Sequence, residues 1–261
     1  MAARPPALFR RLVVWLDPLA GQQGPFSHAL DWAWRLHLPL YGVLPPGLDD
    51  AQSRECARAC ASLAIPWQLS LSQGAGVVSM RRLAGPADLL VVGQGLPPFQ
   101  RSDLFRHEPI GSLPAVLICP GAHLPLARIL LVHQGDSPGE ALLATVARLC
   151  RGFQAKLIVL SVAGSERVVR RQQQAPRALL AAQGLAADFD SVVGSEVAVA
   201  AAGVARWRRC QLVVLGWQPG PSWWRRWWGS PVEQLAEMAG DFAFLALPDA
   251  ATPGSTSQPV A

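Results

Sequence analysis

The sequence predicts an α/β fold built from two similar halves, each with a parallel sheet. Short apolar runs alternate with stretches of helical periodicity, as expected when strands are buried on both faces of a parallel sheet. The apolar runs also recur along the chain: LVVWLD (12–17) resembles LLVHQ (130–134), and ADLLVVGQG (87–95) resembles CQLVVLGWQ (210–218). AVLICP (115–120) resembles AFLALPD (243–249), which completes an internal repeat.

Taken in order, the runs predict five strands in each half. The first half has strands at 12–16, 38–44, 65–71, 88–93 and 115–119, and the second at 129–133, 156–162, 187–193, 211–216 and 242–247. Helices are predicted at 49–63, 77–83, 138–150 and 195–207. The third begins after Asp136-Ser137, which can cap it, with Pro138 at its first position and Glu140 in its first turn.

The repeat predicts two domains. We expect domain 1 to span 1–122 and domain 2 to span 123–249, with the boundary in the segment 121–126. Residues 250–261 are polar and rich in Pro, Ser and Thr, and this composition predicts a disordered tail.

Composition limits the partners and the compartment. The net charge is +5, but the basic residues are spread along the chain, so no nucleic-acid partner is expected. No stretch has the roughly 20 apolar residues of a membrane span, and the N-terminus does not resemble a signal peptide. The five cysteines include no CxxC pair, which predicts free thiols in the reducing cytoplasm.

The chain lacks the usual signatures of catalysis and metal binding. It contains no GxSxG, no GxxxxGK[ST] and no paired carboxylates at a strand end, so no catalytic residue is predicted. The histidines have no metal-ligand spacing. Cys56 and Cys60 share a face of a predicted helix, but no histidine stands nearby to complete a metal site.

The order of these predicted elements resembles that of a known protein family. A five-stranded half with ADLLVVG (87–93), a Gly-rich loop and a short closing strand resembles the universal stress protein family in its tandem form. The resemblance implies a Rossmann-like, adenine nucleotide alpha hydrolase-like fold with strand order 3-2-1-4-5 in each half. It also implies a pseudo-dimer in which the closing strands, 115–119 and 242–247, pair. Many members of the family bind ATP, whereas others act through protein contacts.

The second half keeps part of the family's phosphate motif. Gly216 ends the fourth strand, and Gly229-Ser230 stands thirteen positions on, as in the motif. The middle glycine would fall on Pro219, with Gly220 beside it. Glycines let backbone N–H groups approach phosphates, and a helix start adds a positive dipole end. Because proline has no N–H, Pro219 removes one donor.

The resemblance implies further nucleotide contacts in the second half. Gln134 stands where the family has an acidic residue near the ribose, and Val162 falls where a backbone group reads adenine. Gly194 also fits the pattern, and Trp217 could stack near a ligand. His133, at the end of a strand, is a further candidate by its position alone.

The first half departs further from the motif. Gly111-Ser112 lies eighteen positions after Gly93 rather than thirteen, although Asp17 keeps the acidic position. We therefore expect at most one ATP, or other adenine nucleotide, per chain, bound in domain 2. The predicted role is the regulation of stress responses or signalling through a conformational response to the nucleotide. At most, slow ATP hydrolysis is expected as catalysis.

The phosphate loop contains an unusual insert, SWWRRWW (222–228). Trp223, Trp224, Trp227 and Trp228 could pack on the protein itself, dock a partner protein, or contact a membrane surface peripherally. Arg225 and Arg226 could instead pair with phosphates. The alternative prediction is therefore a nucleotide-free interaction module that uses residues 223–228.

Overall fold

The computed structural model describes residues 8–16, 24–44, 50–71, 77–96, 104–105, 114–133, 139–217 and 231–248. Ten strands are found in these residues: β1 Leu12–Trp15, β2 Leu40–Leu44, β3 Trp67–Leu71, β4 Leu89–Gly93, β5 Ala115–Cys119, β6 Arg128–His133, β7 Lys156–Ala163, β8 Ala187–Val193, β9 Leu212–Trp217 and β10 Ala243–Pro248. They agree with the predicted strands to within a few residues.

The strands form one sheet whose order is symmetric about its centre. The order is β3-β2-β1-β4-β5-β10-β9-β6-β7-β8, so the predicted order 3-2-1-4-5 occurs twice, in mirrored sequence. Every neighbouring pair is parallel except β5 and β10. Those two pair antiparallel, with Leu117 opposite Leu245. The predicted α/β fold and the central pairing of the closing strands are confirmed.

Seven helices in the described residues cover the two faces of the sheet. They are α1 Pro25–Leu36, α2 Asp50–Ser62, α3 Val77–Leu83, α4 Gly139–Phe153, α5 Glu166–Ala182, α6 Val197–Arg208 and α7 Pro231–Met238. Buried side chains of α1, α2, α4 and α5 belong to one hydrophobic cluster, and those of α3, α6 and α7 to a second. The result is a sheet between two helical layers.

Helices α1 and α5 were not predicted from the sequence. Pro25 starts α1, where a missing N–H costs nothing, and the helix ends at His37 in the left-handed region. In α5, Ser165 caps the N-terminus by accepting a hydrogen bond from the Val168 N–H. Pro176 lies inside α5 on its buried stripe, so tertiary packing maintains the helix across a residue that disfavours it.

Contacts between α1 and α4 join the two halves on one face of the sheet. The rings of Trp32 and Phe153 contact each other at an angle of 55°, with their centroids 5.0 Å apart, and both are buried. A Cβ placed at Gly152 would lie 3.0 Å from Leu36, so the two helices approach closely. The halves therefore share a core as well as a strand pair.

Ion pairs tie strands and helices together at the amino ends of the strands. Asp88 is fully buried and accepts hydrogen bonds from Arg10 and Arg11, 2.9 to 3.1 Å long, and from the Gly85 N–H. Far from this cluster, Arg208 of α6 donates two hydrogen bonds to Asp190 of β8. Among the described helices, none is long and apolar enough to cross a bilayer.

Candidate functional site

Three adjacent strands end at the edge where the sequence predicts the site. β6 lies between β9 and β7, and the chain leaves β6 towards β7 but returns through β9 on the other side. Open α/β sheets bind ligands at such a switch point, outside the carboxyl ends of the strands. His133 ends β6, Val162 lies near the end of β7 and Trp217 ends β9, so these residues reach one edge.

Val162 lies inside β7 rather than just after it, because the strand continues to Ala163. The Ala163 carbonyl accepts a hydrogen bond from the Gly194 N–H at 2.9 Å, so it points towards β8. Backbone groups alternate in direction along a strand, and the N–H and C=O of Val162 therefore point towards β6. The pairing of His133 with Ser161 places the Val162 N–H where it donates to the His133 carbonyl, as the Lys156 N–H donates to Ala127 at the start of the same two strands. The Val162 C=O points the same way beyond His133, the last described residue of β6, whereas the side chain is buried.

Gly216 is packed against a helix. A Cβ at this position would lie 2.9 Å from Cδ2 of Leu142, which belongs to α4. Gly216 is therefore explained by the close approach of α4 to β9, independently of any ligand. Trp217 is the last residue of β9 and pairs with Pro248 through the backbone.

Gly194 differs from Gly216. It follows β8, one strand further from the switch point, and a Cβ there would meet nothing within 4 Å. Its φ lies outside the left-handed region, so neither space nor backbone conformation requires glycine at this position.

Several predicted site residues lie outside the described residues. These are Gln134, Gly220, Gly229 and Ser230, together with Pro219, Trp223, Trp224, Arg225, Arg226, Trp227 and Trp228. Their roles stay predictions, and so does the division into the domains 1–122 and 123–249.

Two polar side chains lie side by side below this edge. His133 and Ser161 are register partners in β6 and β7, and their side chains point to the face covered by α4 and α5. Burial lowers the pKa of His133, which keeps its imidazole neutral. Ser161 is fully buried, and its Oγ has no hydrogen-bond partner in the described part of the chain. Ser161 was not predicted as a site residue, although a serine near the end of the apolar run KLIVLSVA was a usable signal.

Among the described residues, the corresponding edge of the first half is apolar. In the first half, Leu12 pairs with Leu40 and Leu89. In the second half, Ile129 pairs in the same way with Leu157 and Leu212. The two halves of the sheet therefore align with Leu16 at the position of His133 and Leu44 at the position of Ser161. Both leucines are buried. Leu96, Leu104 and Phe105 are buried in the cluster that also contains Trp15. Asp17 lies outside the described residues.

The thiols are buried and unreactive by environment. All five cysteines are free and buried. Burial raises the pKa of Cys56, Cys60 and Cys210 to about 11, and that of Cys150 to about 12. Within the described ranges, no group of three or more His, Cys, Asp or Glu side chains could hold a metal ion.

Comparison with known proteins rests on solved structures. No protein-family model and no curated protein matches the chain. A functionally unknown protein from Pseudomonas aeruginosa PAO1 is similar over 92% of this chain and 93% of its own, at 17% identity and a TM-score of 0.69. A protein assigned to the universal stress class in Pseudomonas aeruginosa UCBPP-PA14 is similar over the same shares, at 17% identity and a TM-score of 0.67.

A third structure extends the likeness to another organism. A universal stress protein from Archaeoglobus fulgidus DSM 4304 is similar over 93% of this chain and 98% of its own, at 12% identity and a TM-score of 0.65. The chain therefore has the fold of the universal stress proteins, with their strand order present twice.

Proposed function

We propose that this chain is a universal-stress-type protein that binds ATP or another adenine nucleotide in its second half. Its regulatory output would be a conformational response to the nucleotide, passed on to a protein partner. The observation that supports the proposal is the C=O of Val162, which points to the β6 side near the end of β7, at the switch point. Backbone groups at that place can read the edge of an adenine ring.

The phosphates would lie on the loop between β9 and α7. Gly229-Ser230 immediately precedes Pro231, the first residue of α7. A helix start of this kind favours anions through its free N–H groups and its dipole. Gln134 would contact the ribose, and Trp217 would stack near the base. This arrangement places one nucleotide in each chain, because the equivalent edge of the first half is lined by buried apolar side chains.

Thermal unfolding with added ATP tests the proposal. Ligand at a hundred times its Kd stabilises a protein by about 2.7 kcal/mol, which corresponds to a rise in Tm of roughly 5–10 °C for a chain of this size. The double variant Gly229→Val/Ser230→Ala should lose the rise. Gly111→Val/Ser112→Ala makes the same change at the matching dipeptide of the first half, and it should keep the rise. Unchanged Tm of the wild-type protein at millimolar ATP would refute nucleotide binding.

The second candidate function is a nucleotide-free module that docks a partner protein or a membrane surface through residues 223–228. One observation on the described residues favours it. Trp207 is 72% exposed and lies under the Arg208 guanidinium, 4.7 Å from ring centre to Cζ, so this half already presents a Trp/Arg surface. Co-sedimentation with anionic vesicles should then depend on Trp223, Trp224, Trp227 and Trp228, and equal pelleting after their replacement by Ala would remove the membrane version.

A further inference from the structure

The floor of the proposed site contains a hydroxyl without a partner. Ser161 is 0% exposed, and its Oγ accepts and donates no hydrogen bond within the part of the chain that the structure describes. A buried, unpaired hydroxyl destabilises a folded protein, and native proteins rarely keep one unless a bound group or water satisfies it. We therefore expect a bound polar group to be the hydrogen-bond partner of the Ser161 hydroxyl.

His133 stands beside it on the same face of the sheet. The two residues are register partners in a parallel pair, so their Cα atoms lie about 4.8 Å apart, the usual distance between strands. His133 is 8% exposed and is the last residue of β6, which places the pair near the edge of the sheet rather than deep in the core. One small group could reach both side chains.

The first half serves as an internal comparison. The strand registers place Leu16 and Leu44 where the second half has His133 and Ser161. Both leucines are buried in the same kind of apolar layer. The fold does not need polar residues at these two positions. The polar pair is found only in the half that keeps the outer elements of the phosphate motif.

The chemistry of the pair selects the kind of group. A serine hydroxyl and a neutral imidazole each offer one donor and one acceptor. A phosphate or an ammonium group would carry its charge into an apolar floor without a counter-ion, at a high cost in desolvation. A neutral hydroxyl, which also donates and accepts, matches both partners.

We propose that Ser161 and His133 together bind a ribose hydroxyl and make the site select ribonucleotides over their deoxy counterparts. This inference rests on the proposed nucleotide site and deepens it. The Val162 backbone, which would contact the base, follows Ser161 directly, and the sugar is the part of a nucleotide attached to the base. Ser161 and His133 are thus specificity residues for the sugar.

Calorimetric titration of the full chain with ATP, 2′-deoxy-ATP and 3′-deoxy-ATP tests the inference. We expect the wild-type protein to bind ATP about tenfold more tightly than one of the two deoxy analogues, the effect of one hydrogen bond. Ser161→Ala should bind ATP and that analogue with equal affinity. His133→Leu, which restores the residue type of the first half, should do the same. Ser191→Ala, on the neighbouring strand β8 and exposed, is the control that should keep the preference.

The melting temperature of the ligand-free protein gives an independent readout. Because the hydroxyl has no partner, Ser161→Ala should raise the Tm while weakening ATP binding. A lower Tm would show that the hydroxyl is bonded within the protein and would contradict the inference. Equal binding of ATP and both deoxy analogues by the wild-type protein would also overturn it, leaving the nucleotide site intact. Absence of any ATP binding would refute the proposed function itself.

Discussion

Gly216 of β9 and Leu142 of α4 approach so closely that a single methyl group at position 216 would lie 2.9 Å from Leu142 Cδ2. This contact shows how closely α4 packs against β9. It also explains a glycine that sequence comparison alone would assign to phosphate binding. The two roles are compatible, because a glycine that admits a helix on one side leaves the backbone bare at the end of the strand.

Gly216→Ala should lower the free energy of unfolding by about 1–2 kcal/mol, since Leu142 must move to admit the methyl group. The double variant Gly216→Ala/Leu142→Ala should lose less stability than the sum of the losses in the two single variants, because Leu142→Ala removes the clash. Gly194→Ala is the matched control. It faces open space, so chemical denaturation should show a change within about 0.5 kcal/mol. Similar losses at the two glycines would contradict the packing explanation.

Asp88→Asn should destabilise the protein by about 2–4 kcal/mol, because it removes the carboxylate that two guanidinium groups share in a buried position. Asp241→Asn is the control: its pair with Arg206 is solvent-exposed, with the Asp241 side chain 74% exposed, and such pairs contribute at most about 1 kcal/mol. Urea unfolding of both variants measures the difference. Equal losses of stability in the two variants would show that the burial of Asp88 does not make its ion pairs more important for stability than an exposed pair.

Stability should fall as the pH is lowered from about 6.5 to about 4, because of His28. Burial lowers the pKa of His28 to about 4, against an ordinary value of 6.5, while its ring contacts the Ala122 carbonyl. Between these values the unfolded chain binds a proton that the folded chain does not, so acid favours unfolding, by up to about 3 kcal/mol. His133 should also make the protein less stable in acid, because burial lowers its pKa too.

His28→Gln keeps a donor for the Ala122 carbonyl but cannot take up a proton in this range. Unfolding measured between pH 4 and pH 7 should show a flatter profile for this variant than for the wild type. His37→Asn, at an exposed helix end whose left-handed backbone asparagine tolerates, should leave the profile unchanged. A wild-type slope retained in His28→Gln would exclude His28 as the source.

The native protein should react slowly with a water-soluble aromatic disulfide at neutral pH. All five thiols are buried, and burial raises the pKa of each, so little thiolate is present or accessible. In denaturant, five equivalents should react rapidly. Fast reaction of even one thiol in the native protein would show that its surroundings open far more often than the packing implies.

Most of the strands were predictable because they are continuous apolar runs, and the family resemblance implied their order in each half. Runs such as DLLVVG and QLVVLG are typical of strands that are buried on both faces of a parallel sheet. The pairing of β5 with β10 was implied by the family resemblance together with the repeat, and it covers two strand edges that would otherwise be open.

Helices α1 and α5 and the residue Ser161 were less accessible to sequence reasoning. Pro176 within α5 is unfavourable locally, and only packing of its stripe on β7 and β8 compensates. Ser161 sits in an apolar run, where a single polar residue is ordinarily outward-facing. Its full burial depends on α4 and α5 covering that face, which no local pattern shows.

The central claim is one adenine-nucleotide site per chain, in the second half. Isothermal titration calorimetry with ATP tests it most directly, because it reports stoichiometry as well as affinity. The account predicts saturable binding of one ATP per chain, abolished by Gly229→Val/Ser230→Ala and retained in Gly111→Val/Ser112→Ala. Binding of two ATP molecules, or no measurable heat at millimolar ATP, would contradict it.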